Sequence, residues 1–104
     1  MKSANEITEL IISRYIEIGV AQGAKNRFIF IEAVSDGICI KRESGTFWPI
    51  KKEQIVRAVE AVRHDPTIYG AGPTKLKPYI NERVQSPLWA MLHLLSLDEI
   101  VDKV

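Results

Sequence analysis

The chain has 104 residues, 46% hydrophobic and 26% charged, with a formal net charge of +1; these values exclude a disordered or low-complexity chain and leave room for one core without covalent staples. A single cysteine, Cys39, excludes an internal disulfide and fits a reducing compartment. The opening MKSANEITEL lacks the apolar centre and small-residue cleavage site of a secretory signal. The longest apolar-rich run, Leu88 to Leu97, is shorter than the ~20 residues a membrane helix needs. The expectation is one domain spanning residues 1–104, cytoplasmic and without a membrane partner.

The first element reads as a helix over 4–19. Ser3 and Glu6 match the capping-box pattern, and Ile7, Leu10, Ile11, Tyr15 and Ile18 recur at helical spacing before Gly19. Residues 27–33 then read as a strand rich in aromatic and β-branched residues. Asp36-Gly37 between two apolar runs signals a hairpin with a type I′ turn, and residues 38–43 form its return strand. With those two residues as the loop, Glu32 faces Lys41, Ala33 faces Ile40 and Val34 faces Cys39. Ile29, Ile31, Ala33, Ile38 and Ile40 then share one apolar face, the expected core face. Phe28, Phe30, Val34 and Cys39 share the other with Glu32, Lys41 and Glu43.

After Ser44-Gly45, residues Thr46-Phe47-Trp48 can add a short third strand, which Pro49 marks as an edge or an ending. A helix follows near 51–64, with Ile55, Val56, Val59 and Val62 as its apolar stripe. Residues 65–77 contain two glycines and two prolines and read as a loop, of a length that is often functional or mobile. A short helix is expected near 75–84, irregular at Pro78. Ser86-Pro87 opens a last helix near 87–97, apolar on nearly every side. The tail from Asp98 extends it or adds one turn. The fold class is therefore α+β: a central antiparallel hairpin, extendable to three short strands, packed by an N-terminal helix and about three C-terminal helices.

No pattern names a reaction. His64 and His93 stand in no metal-ligand spacing, so no metal and no cofactor is assigned. Cys39 has no sequence-adjacent histidine or helix start to activate it, and neither a nucleophile elbow nor a Walker loop is present. No catalytic residue is assigned.

Three classes of function remain. The first is a non-catalytic protein-interaction or regulatory module that self-associates as a homodimer or higher oligomer. A helix apolar all round must be buried on several sides, so Leu88, Trp89, Met91, Leu92 and Leu95 are candidate interface residues. The second is a nucleic-acid-binding accessory protein. Residues 25–83 hold eleven Lys/Arg against seven Asp/Glu, and Lys41, Arg42, Lys51, Lys52, Lys75, Lys77 and Arg83 are the candidate contacts. Lys51 and Lys52 also open a helix, where two cations are unfavourable unless an anion or carboxylate is near. The third is a small-ligand binder or small enzyme, with Trp48 and Tyr69 lining a pocket beside the glycine-containing loop.

Overall fold

The computed structural model describes residues 2–80 and 82–101. Its elements run α1 (Ala4–Ile18), β1 (Val20–Gln22), β2 (Arg27–Val34), β3 (Gly37–Arg42), β4 (Phe47–Lys51), α2 (Lys52–His64), α3 (Ile68–Ala71), a 3-10 turn (Pro73–Leu76), α4 (Gln85–Leu92) and α5 (Leu97–Val101). The class is α+β: a four-stranded antiparallel meander in the order β1-β2-β3-β4, with helices packed against it.

α1 begins as its sequence dictates. Ser3 Oγ accepts from the Glu6 N–H at 3.1 Å, and Glu6 Oε1 accepts from the Ser3 N–H at 3.1 Å, so two of the unpaired first-turn donors are satisfied. It ends at Gly19, held at φ 86, where the left-handed conformation favours glycine. The chain then enters β1 at once, a strand of three residues that its sequence does not signal.

The hairpin differs from the expected register. Ser35 and Asp36 form the turn, and Val34 pairs with Gly37, Ala33 with Ile38 and Glu32 with Cys39. Beyond the bulged Ile31 the pairing becomes Phe30 with Ile40, Ile29 with Lys41 and Phe28 with Arg42. Near the turn the pairing is displaced by two residues, which leaves the faces as they were; the extra residue at Ile31 then exchanges them for the part of β2 that precedes it. Phe28 and Phe30 therefore face the helices, whereas Ile29 and Ile31, expected in the core, point to the opposite side. Gly37 is present for space: a Cβ there would overlap the Ile50 carbonyl oxygen of β4. Its φ is not positive, as a type I′ turn would require.

β4 continues through Pro49 to Lys51, longer than the expected third strand. As the edge strand it offers one side to no partner, so the missing N–H of Pro49 breaks no ladder bond. The segment after α2 folds more than expected. It holds α3 and the 3-10 turn, while the helix expected near 75–84 is replaced by turns through Lys77–Tyr79; Asn81 lies outside the described residues. The last expected helix is α4, which starts at Gln85 and ends at Leu92, where the His93 N–H turns back to the Ala90 carbonyl at 3.1 Å, and the tail adds one more turn as α5. The tail beyond Val101 lies outside the described residues.

The helices lie on one face of the sheet. α2 rests on β3 and β4, α4 on β1 and β2, and α1 reaches β1 beside both helices. Phe28, Ile38, Ile40 and Ile50 from the sheet share one buried cluster with Ile7, Ile11, Ile55, Val59, Leu88 and Met91. The Tyr15 hydroxyl donates to the Phe28 carbonyl at 2.6 Å, and its ring meets Phe30 edge-on. Burial holds the Tyr15 phenol above its ordinary pKa. No helix among the described residues is long and apolar enough to cross a membrane.

Candidate functional site

With every major helix on one side, the other face of the sheet is left open. Strand alternation and register set its members: Val20 on β1, Ile29, Ile31, Glu32 and Val34 on β2, Cys39 and Lys41 on β3, and Phe47, Pro49 and Lys51 on β4. Phe47 is 60% exposed, Val34 47% and Ile31 42%; Ile29 and Cys39 are half-buried and Pro49 is exposed. Solvated sheet faces ordinarily alternate to polar residues; this one places an apolar strip across all four strands. Charges surround the strip. Arg27 pairs with Glu43 at 3.4 Å at one end, and Lys41 Nζ sits 5.5 Å above the Phe47 ring. Glu32 and Lys51 are exposed.

The residues singled out as an interface lie elsewhere. Leu88, Met91, Leu92 and Leu95 are at most 2% exposed inside this chain's own core. α4 is enclosed by α2, the 3-10 turn and the sheet, so its all-round apolarity is met without a second subunit. Trp89 is half-buried and its indole N–H donates to the Ile68 carbonyl at 3.1 Å.

The seven basic candidates do not form one field. Lys41 and Arg42, adjacent on β3, point to opposite faces. Arg42 turns to the helix side and stacks 4.8 Å above the Trp48 ring. Lys52 is bound to Glu9 at 2.9 Å, which supplies the carboxylate that two lysines at a helix start call for. Lys51 points to the open face and its N–H donates to Gln54 Oε1 at 2.9 Å. The open cleft of about 440 Å³ beside them is lined by Ser35, Asp36, Lys51, Lys52 and Glu53, so its charges oppose one another. Lys75 and Lys77 are exposed on and just after the 3-10 turn, and Arg83 is exposed ahead of α4.

Trp48 and Tyr69 belong to separate clusters. Trp48 stacks on Phe28 at 5.9 Å. Tyr69 stacks on His93 at 3.9 Å and donates its hydroxyl to the Leu95 carbonyl at 2.8 Å; burial, followed by the nearby Glu99 charge, raises its pKa. A cleft of about 250 Å³, lined by Arg63, Pro66, Leu97, Asp98 and Val101, involves neither.

Reactive side chains are kept apart or engaged. His93 stacks between Tyr69 and Trp89, with Nε2 2.7 Å from the Tyr69 carbonyl oxygen. His64 meets the Tyr79 ring edge-on. Cys39 lies on the open sheet face. Among the described residues no three His, Cys, Asp or Glu side chains gather as a metal site. Comparison with known proteins found no matching family model, no matching curated protein and no matching solved structure.

Proposed function

We propose that the chain is a non-catalytic protein-interaction module whose working surface is the open face of its sheet. One observation carries the reading: Ile31 and Val34 on β2 and Phe47 on β4 leave 42–60% of their surface in water on a face that no helix among the described residues covers. A contiguous apolar strip of this kind, rimmed by charge, is the usual mark of a protein contact. The edges of the sheet support a face contact over strand addition. β4 carries Pro49, β1 is three residues long, and both features blunt an edge.

The nucleic-acid reading finds less support. Steering and phosphate neutralisation need cations gathered on one surface; here Lys41 and Lys51 lie on one side of the sheet, Arg42 on the other, Lys52 is bound to Glu9, and Lys75, Lys77 and Arg83 stand apart on the segment around the 3-10 turn. The ligand-binder reading needs convergent polar groups in a pocket, and Trp48 and Tyr69 each serve as internal packing.

Site-specific photo-crosslinking tests the proposal. A benzophenone side chain placed at Phe47 is expected to give adducts of discrete mass in cells, and the same group at the exposed Glu17 of α1 none. Absence of adducts from Phe47 sinks the reading.

A further inference from the structure

Resting on that reading, we infer that the occupant of the open face is a second copy of this chain, packed sheet against sheet about a two-fold axis. A two-fold contact buries the same patch from both partners, so the patch must be complementary to itself. The open face meets that condition. Around its apolar strip stand three cations, Arg27, Lys41 and Lys51, and two anions, Glu32 and Glu43. Arg27 and Glu43 already satisfy each other at 3.4 Å. That leaves Glu32 on β2 against Lys41 and Lys51 on β3 and β4, with none of the three in an ion pair among the described residues. A polyanion would meet Glu32, and a strongly basic peptide would meet two lysines; a second copy presents the opposite charge to both.

The geometry favours faces over edges. Aligned sheets pack about 10 Å apart with their side chains interdigitating, which the protruding Ile31, Val34 and Phe47 can do. Glu32 of one copy then approaches Lys41 or Lys51 of the other, and Cys39, midway along the inner strand β3, lies near the centre of the contact.

Charge exchange tests the inference. Sedimentation equilibrium of the full chain is expected to show a reversible dimer. Glu32→Lys alone, and Lys41→Glu with Lys51→Glu, are each expected to weaken it at least about tenfold, because like charges then face one another. Mixing the two variants is expected to restore a heterodimer of near wild-type affinity, since every facing pair is again opposite. A merely destabilised fold cannot show that rescue. Phe47→Ser, at a 60% exposed position, changes no charge and is expected to be monomeric with its circular dichroism unchanged. A wild-type monomer at all accessible concentrations, or a mixture that does not recover, overturns the inference. The crosslinking experiment separates the two failures. Adducts at twice the 11.8 kDa chain mass support the second copy. Adducts of any other mass reject it while leaving the interaction surface intact, and no adducts reject both.

Discussion

Gly37 lets β3 and β4 approach closely. Its N–H and C=O belong to β3, and the backbone of β4 passes so close that a Cβ would overlap the Ile50 carbonyl oxygen and touch Lys51 Cα at 3.0 Å. Backbone atoms cannot swing aside as a side-chain tip can, so β4 must move. Gly37→Ala is expected to cost about 1–3 kcal/mol, the scale of overpacking in a filled site. Gly70 in α3 is the control: no atom lies within 4 Å of its added Cβ and its φ is not positive. Gly70→Ala is expected to be neutral or to stabilise by up to about 1 kcal/mol by restricting the unfolded chain. Urea midpoints of the two variants decide the matter, and equal values would remove the packing argument. Asp-Gly was legible as a hairpin, but the glycine's reason was not. Glycine serves both a positive φ and a close approach, and the second depends on a strand that comes ten residues later.

At the scale of elements, β2 is where the functional reading turns. Its apolar residues are continuous from Phe28 to Ile31, so periodicity does not say which alternate set faces inward; only the turn and the bulge do. Phe28 is 0% exposed beneath the helices, and Ile31 is 42% exposed on the open face. Phe28→Ala is therefore expected to lose about 3–5 kcal/mol, and Ile31→Ala less than about 0.5 kcal/mol when measured at low protein concentration. A reversed order in chemical denaturation would restore the opposite assignment of faces.

Other elements were readable because their signals are local. The Ser3–Glu6 box begins α1 within four residues, and Ile55, Val59 and Val62 give α2 a buried stripe at helical spacing. α3 was hidden because distant groups hold it. The Ile68 carbonyl is bonded by Trp89, the Tyr69 hydroxyl reaches Leu95, and the Tyr69 ring rests on His93. The apolar α4 was readable as buried, but its covering was not: it lies under α2 and the sheet of its own chain. The open face was hidden for the reason that hid the register, since Ile29 and Ile31 look like core until the bulge is known.

The whole molecule meets its own demand for burial. Its accessible surface is 5888 Å², against about 5,900 Å² for a monomeric protein of 11.8 kDa, so the core needs no second copy to complete it. Long-range ionic clamps close the helical layer. Arg14 binds Glu99 and ties α5 to α1, while Arg57 binds Glu82 at 2.7 Å and, with Gln54, ties the segment before α4 to α2. The Arg57 hydrogen bond, chiefly, lowers the Glu82 pKa from 4.5 to about 2. A carboxyl whose folded pKa is depressed contributes stability that is fully present above its unfolded pKa and is lost as pH falls through the folded one. That contribution is thus intact above about pH 4.5 and gone near pH 2. Glu99 and Asp65 are lowered too, through hydrogen bonds from the Ser96 N–H and the Thr67 hydroxyl respectively, so acid weakens several clamps together. Glu82→Gln removes one titrating group and keeps the shape. It is expected to lower the urea midpoint at pH 7 and to flatten, without abolishing, the loss of stability between pH 4.5 and 2. Arg57→Gln is expected to do the same, and the double variant to add little to either, because the two substitutions break one interaction. Additive losses in the double variant, or an unchanged acid slope in Glu82→Gln, would show that the clamp holds nothing that the core does not already hold.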